Sequence, residues 1–248
     1  HTELFLKKIN ADIRVKKLEK GNLITLRGQK NLYAFNYTVS SDPSSASFLI
    51  ALTLLTPNSK LIINNVICNP TRTGFVRILK EKMRANIKIK NLRKVSGELV
   101  GNIIVKSSPL KSVICPKELV PFLIDEFCIL FVIAAMTKGV SKFTGISELR
   151  HKESDRIKSM EKGLNKIGIK TKSTYDSLNI YGDPNIKIKK EIDIFSNYDH
   201  RVAISWAICG LLLGAKIKIH NFETTNTSFP NFLSLIQSLG GKFEIKKN

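Results

Sequence analysis

Arg150-His151-Lys152-Glu153-Ser154-Asp155-Arg156 places six ionisable side chains within seven residues. Immediately after it, Ile157, Met160, Leu164 and Ile167 recur at helical spacing, so the run is the entry to an amphipathic helix. Unpaired backbone N–H groups and the positive dipole end at such a start suit phosphate or carboxylate, and Lys and Arg beside them add charge. Cations at that end are locally unfavourable, a conflict that an anion would resolve. A solvated, salt-bridged helix entry is the plainer reading of the same run. Asp199-His200-Arg201 repeats the pattern before the apolar stretch Val202 to Leu213. His200 by itself reads as a structural hydrogen-bonding residue, whereas Arg201 needs a partner if it is buried. Asp125 stands before a third apolar run, where an Asp is ordinarily an N-cap.

These residues fall at equivalent places in a repeat. Three segments share one order: an Asp, an apolar helix, a basic strand, a polar loop, an amphipathic helix and a further strand. The first opens at Asp42-Pro43, with helix to Leu55, strand Ser59 to Ile63, loop Asn69 to Gly74, helix Phe75 to Met83 and strand Asn86 to Lys90. The second opens at Asp125-Glu126, with strand Val140 to Ile146 and helix Ile157 to Ile167. The third opens at Asp199, with helix Val202 to Leu213, strand Ala215 to His220, helix Asn231 to Leu239 and strand Lys242 to Lys246. The openings are roughly 75–85 residues apart, a plausible length for a compact αβ unit. Gly168 and Gly240 close the amphipathic helices of units two and three, but Arg84 stands at that point in unit one.

Residues 1–40 are expected to be the back half of a fourth unit. Leu4 to Ile9 is its helix, Asn10 its terminator and Ile13 to Lys17 a strand, with a hairpin of Leu23–Arg27 and Tyr33–Val39 around Gly28 to Asn31. The chain opens with His1 in mid-unit, so the reading expects a fragment with a domain boundary near Ser40-Ser41, dividing 1–40 from 41–248. Packing three units about a pseudo-threefold axis would bring Asp125, Lys152, Glu153, Arg156, His200 and Arg201 to one anion-binding face.

Composition narrows the classes. With 43% hydrophobic residues in 248, the chain can bury a large core, and its apolar runs are too short to cross a bilayer, which predicts a soluble, globular protein. Cys68, Cys115, Cys128 and Cys209 are far apart, as expected of buried thiols in a reducing compartment, and the four His lack zinc-ligand spacing. The net charge of +20 would suit a nucleic-acid-binding module, but the Lys are spread along the chain among Ile and Asn instead of forming a patch. No nucleic-acid or membrane partner is expected.

Ser41-Asp42-Pro43-Ser44-Ser45-Ala46, Asn69-Pro70-Thr71-Arg72-Thr73-Gly74, Leu123-Ile124-Asp125-Glu126, Arg150 to Arg156, Asp199-His200-Arg201 and Thr227-Ser228-Phe229-Pro230 resemble, in order, the signatures of the EPSP synthase (3-phosphoshikimate 1-carboxyvinyltransferase) family. The resemblance implies an α/β (α+β) enolpyruvate transferase fold of two domains, each of three αβ units, this chain being truncated at its N-terminus. It implies enolpyruvyl transfer from phosphoenolpyruvate to the 5-hydroxyl of 3-phosphoshikimate by addition and elimination, without metal or other cofactor, in a cytoplasmic monomer. Residue by residue, Asp125 would bind that hydroxyl and act as general base, and Glu153 would protonate the methylene carbon of phosphoenolpyruvate. Lys152 would contact phosphoshikimate, Arg156 and Arg201 would bind phosphoenolpyruvate, and His200 would lie beside its phosphate. Thr227 stands where many members carry a ligand-contacting Lys, although others have Thr-Ser-Phe-Pro as here. The family's Lys-Ser-x-x-x-Arg loop, Ser-Ser-Gln segment and a further phosphoenolpyruvate-binding Arg would belong to a missing N-terminal half, so the piece alone is expected to be inactive. The transferase that uses UDP-N-acetylglucosamine shares the fold but lacks the Lys-Glu-Ser-Asp-Arg run.

Overall fold

Asp42 accepts a hydrogen bond from the Ser45 amide at 2.8 Å, and Pro43 begins helix α2 (Pro43–Leu55) with its fixed φ and absent N–H at the position that tolerates both. This is seen in a computed structural model that describes residues 2–188 and 190–246. Asp155 caps α5 (Arg156–Lys166) through the Lys158 amide, and Asp199 caps α6 (His200–Leu213) through those of Arg201 and Val202. Asp125 departs from the expectation. It sits inside a 3-10 turn, Ile124–Glu126, and α4 (Phe127–Ala135) begins after Glu126 without a side-chain cap. The Asp125 carboxylate is thereby left available for other partners.

Helices α2, α4 and α6 each touch the other two, and every residue of α4 is buried. A helix enclosed on all sides needs no polar face, which is why Phe127 to Ala135 is apolar throughout. Phe127, Phe131 and Phe143 meet edge-on or tilted within this core. The second helix of unit two, α5, shows the expected stripe, with Ile157, Met160 and Leu164 buried. It lies so close to α6 that a Cβ on Gly163 would come within 2.0 Å of the Trp206 ring, so only Gly permits the approach.

Each unit contributes a small sheet. In the first, β3 (Lys60–Ile67) and β4 (Asn86–Val95) flank β5 (Glu98–Lys106), all antiparallel. In the second, β6 (Gly139–Thr144) and β7 (Lys170–Thr174) flank β8 (Ser177–Gly182) in the same order. Parallel bridges Ser41–Val66 and Ile114–Lys142 add one further edge to each. The third sheet pairs β9 (Ile192–Phe195) with β10 (Ile217–His220) in parallel. Strands β5, β7, β8 and β9 were not distinguished in the sequence; β7, Lys-Thr-Lys-Ser-Thr, has no apolar residue and β9 is only four residues long.

Three expectations need correction. The helix placed at Phe75 to Met83 is α-helical only over Gly74–Arg77 (α3) and continues as one wide turn, Ile78–Lys82, with the Met83 amide reaching Ile78 O at 3.1 Å. The extra residue lets Ile78, Leu79 and Met83 all turn inward. Residues 242–246, expected as a strand after α7 (Phe232–Ser238), form none. Their counterparts β4 and β7 pair with a following strand, and no such neighbour occurs here among the described residues. Near the start, β2 (Gly21–Arg27) pairs with β1 (Asp12–Leu18) and not with Tyr33–Val39. The two-residue connection Glu19-Lys20, followed by Gly21 at φ 101°, closes that hairpin with the shorter loop. Phe35 and Tyr37 instead pack on Phe5 of α1 (Thr2–Lys8).

Other details hold. Asn10, Gly168 and Gly240 have φ of 69°, 89° and 89°, the left-handed terminators expected of them. Arg84 is forced to φ 63°. Arg84→Gly should therefore stabilise the chain by about 0.5–1 kcal/mol, measured by urea denaturation, because a Cβ disfavours that geometry. All four cysteines are free and buried, and burial pushes the Cys115, Cys128 and Cys209 thiols up to about 12. The main core draws on residues from Ala46 to Ile236 and on none from 2–40. Among the described residues, no helix is long and apolar enough to cross a membrane.

Candidate active site

The charged run divides into two sets. Arg150 donates to Tyr175 O and Thr174 O and pairs with Asp155 at 2.7 Å, while His151 bonds the Tyr175 hydroxyl. These residues fasten the 3-10 turn Ser147–His151 and the start of α5 to the β7–β8 turn. Lys152, Glu153 and Arg156 face the other way, toward the starts of α4 and α6.

Arg156 organises the site. Its side chain is 1% exposed, and its Nε donates to the fully buried Asp199 at 2.8 Å. Its Nη1 lies 3.3 Å from Asp125 and its Nη2 2.5 Å from Glu153, so one guanidinium stands between two carboxylates that are 42% and 47% exposed. A planar fork of fixed donors holds such an arrangement better than a flexible ammonium. Asp199 is also held by the Ser154 hydroxyl at 3.1 Å while capping α6. Thus a buried ion pair locks the starts of α5 and α6 together, and Arg156 ties both to Asp125 just before α4.

Around this centre, Lys152 Nζ is 3.6 Å and Arg201 Nη2 3.8 Å from Asp125. Arg201 Nη1 also donates to the backbone carbonyl of Asp125 at 3.1 Å. His200 Nδ1 approaches Glu153 at 4.0 Å. Burial by itself would raise the Asp125 carboxyl, but Arg201, Lys152 and Arg156 outweigh it and hold the group below its ordinary value. Burial, helped by the Arg201 charge, holds His200 below the usual imidazole value. Its folded pKa being the lower one, His200 contributes stability above about pH 6.5 that is lost as pH falls through the folded value. Between about pH 7 and 5 the wild-type chain should therefore lose stability relative to His200→Gln, read from denaturation midpoints at each pH.

The structure brings together Asp125, Lys152, Glu153, Arg156, His200 and Arg201. It does not bring Thr227 into this network. Thr227 is exposed at the end of the turn Phe222–Thr227, and its hydroxyl donates to Thr224 O at 2.7 Å. The turn is nonetheless tied to the start of α6, since Thr224 Oγ1 donates to Tyr198 O at 2.8 Å. Sequence reasoning missed Ser44, Arg72 and Glu126 as members of the network. Glu126 is 7% exposed, its Oε1 accepts from the Ser44 hydroxyl and lies 3.9 Å from Arg201, and burial raises its carboxyl above the ordinary value. Arg72 donates to Ser44 Oγ at 3.2 Å and pairs with Asp42 at 2.8 Å. Arg72 lies in the Asn69-Pro70-Thr71-Arg72-Thr73-Gly74 motif and Glu126 beside Asp125, but neither has a visible partner in the sequence. Among the described residues no His, Cys, Asp and Glu side chains gather in a group that could hold a metal ion.

The sequence and the fold that carry this network have counterparts among known proteins. The family model described as EPSP synthase (3-phosphoshikimate 1-carboxyvinyltransferase) matches residues 1–236. The 3-phosphoshikimate 1-carboxyvinyltransferase of Petrotoga mobilis is 42% identical over 240 residues, covering 96% of this chain and 54% of the relative. That of Zymomonas mobilis is 40% identical over 248 residues, covering 99% and 54%. Among solved structures, EPSP synthase from Acinetobacter baumannii superposes with a TM-score of 0.86 at 39% identity, over 96% of this chain and 54% of that one. The enolpyruvyl transferase NikO from Streptomyces tendae, at 14% identity and a TM-score of 0.63, shares the fold. The chain spans about half the length of the curated relatives it matches. With its three-unit architecture and its sequence both matched almost end to end, the chain belongs to the EPSP synthase family.

Proposed function

We propose that this chain carries the acid–base and anion-binding half of a 3-phosphoshikimate 1-carboxyvinyltransferase, which moves the enolpyruvyl group of phosphoenolpyruvate to the 5-hydroxyl of 3-phosphoshikimate. The observation that supports it most is the meeting of Asp125 and Glu153 on opposite arms of the Arg156 guanidinium, with Lys152 and Arg201 beside them. Two substrates rich in negative charge require cations, and addition across an enol ether requires an acid and a base on different sides.

In the proposed sequence, Glu153 donates a proton to the methylene carbon of phosphoenolpyruvate while the 5-hydroxyl oxygen bonds to C2. Asp125, kept ionised by its cations, orients that hydroxyl and takes its proton as the bond forms. Elimination then breaks the C2–O bond to phosphate, which leaves with the proton that Asp125 took, and a methyl proton returns to Glu153, regenerating the vinyl ether and both carboxyl groups. Lys152 contacts phosphoshikimate, Arg156 and Arg201 bind phosphoenolpyruvate, and His200, held neutral, lies beside its phosphate. Thr227 has its hydroxyl turned into its own loop, so any substrate contact there requires that loop to rearrange.

We assign residues 2–40, which add nothing to the main core, to the last piece of a second domain, and 41–246 to the three-unit domain. The half that relatives have and this chain does not span would complete the cleft, in a cytoplasmic monomer. Purified alone, the chain should release no phosphate from the two substrates. Joined to the N-terminal half of a family member, it should release phosphate only when both are present. Turnover by the isolated chain, or dependence on UDP-N-acetylglucosamine in the joined protein, would overturn this reading.

A further inference from the structure

Glu126, 7% exposed, is with Asp199 one of two almost wholly buried carboxyls of the site, and it belongs to neither of the proton-transfer roles above. A buried carboxylate needs compensation, and the structure provides it from two sides. The Ser44 hydroxyl, at the start of α2, donates to Glu126 Oε1, and Arg201, at the start of α6, places Nη1 3.9 Å from the same oxygen. The same Nη1 donates to the Asp125 carbonyl, while Nη2 lies 3.8 Å from the Asp125 carboxylate. One hydrogen bond and two longer ion pairs thus draw the guanidinium to the α4 side. Ser44 in turn accepts from Arg72 Nη2 at 3.2 Å, so a continuous path runs from Arg72 through Ser44 and Glu126 to Arg201.

We propose that Glu126 is a positioning residue for the anion site: its buried carboxylate, held by Ser44, sets the Arg201 guanidinium and links it to Arg72 of the first unit. This deepens the reading given above, because it takes Arg201 as a phosphoenolpyruvate ligand. The physical reason is that Arg has many rotamers, and a side chain that must meet an anion in one orientation loses affinity when nothing fixes it. Asp125 meets Arg201 through its carbonyl at 3.1 Å and its carboxylate at 3.8 Å, but that carboxylate is shared with Lys152 and Arg156. Glu126 supplies a charge that Arg201 alone among these three cations approaches within 4.0 Å.

The test uses full-length enzyme carrying this chain, with steady-state kinetics for both substrates and direct titration with phosphoenolpyruvate. Glu126→Gln keeps the volume and an acceptor for Ser44 but removes the charge. It should raise KM and Kd for phosphoenolpyruvate about tenfold, while kcat and the KM for phosphoshikimate stay within about threefold. Ser44→Ala should shift the same two constants in the same direction, and by less when Glu126 is already Gln. Phosphoenolpyruvate constants unchanged in Glu126→Gln, or equal losses for both substrates with a lowered melting temperature, would overturn the proposal. Should Glu126→Gln fail to fold, Ser44→Ala carries the test alone, with unchanged phosphoenolpyruvate affinity as the refuting result. Arg201→Lys separates the two levels of inference. If it weakens phosphoenolpyruvate binding and Glu126→Gln does not, only the positioning role is lost. If Arg201→Lys also leaves binding intact, the anion-site reading itself fails.

Discussion

Glu153→Gln, introduced into full-length enzyme, should lower kcat by about a hundred- to ten-thousandfold, the range over which a positioned proton donor contributes. Gln preserves the shape of the side chain and can still meet Arg156, so the ion-pair centre should survive and the folded protein should melt near the wild-type temperature. Glu153 is nearly half exposed; it pairs with Arg156, and His200 at 4.0 Å is held neutral. Loss of its charge should therefore cost little stability, while loss of its proton would remove the donor proposed for the methylene carbon. Asp125→Asn should also slow turnover, and by less, because Asp125 accepts a proton that bulk water can partly receive. Phosphate release under saturating substrates gives kcat directly. Wild-type rates in Glu153→Gln would end the assignment of Glu153 as the acid.

Arg156→Met tests the other end of the balance. Here the expected damage is to folding, about 3–5 kcal/mol, since truncating one member of a buried pair leaves the other charged and unpartnered. Asp199 would be that partner, with no exposure of its side chain and with α6 capped by the same carboxylate. Adding Asp199→Asn to Arg156→Met should recover part of the loss, because the stranded charge is then gone while a cap remains. Chemical denaturation of the 248-residue chain measures this without any need for activity. A loss below about 1 kcal/mol in Arg156→Met would show that the pair does not hold the helix starts together. The two variants divide the site cleanly. Glu153 and Asp125 stand at the half-exposed rim of the network, and Arg156 and Asp199 form the buried pin on which that rim is built.

Much of this was legible before any coordinates. Asp42 and Asp199, the expected helix openings, each cap a helix because an N-cap is a local arrangement of a side chain and the next few amides, and Asp155 inside the charged run does the same. The left-handed positions Asn10, Arg84, Gly168 and Gly240 follow from the same short-range geometry. The six charged residues of the candidate site could be named because their motifs are unusual in combination, and the structure brings all six into one network. Asp125 shows where the local argument stops. Its capping role was the ordinary expectation, yet the 3-10 turn before α4 leaves its carboxylate to three cations from other parts of the chain.

The strand pairings were the weaker part of the sequence reading. Leu23–Arg27 could pair on either side, and the shorter connection to β1 prevailed over Tyr33–Val39. Residues 242–246 have the alternation of a strand but no neighbouring strand to bond with among the described residues. Pairing depends on a partner that periodicity does not name.

The sequence by itself determined the repeat, the helix starts, the all-apolar central helices and the residue types able to handle anions and protons, because each rests on contacts within a few residues or on spacing along one element. Only the tertiary structure decided which charges meet. Arg156 joins Asp125, Glu153 and Asp199 across as many as 43 positions of sequence, and Glu126 and Ser44 across 82. Coulombic and hydrogen-bonding interactions act over a few ångströms of space, so the mutual packing of α2, α4 and α6 had to be known before those groups could be seen as neighbours.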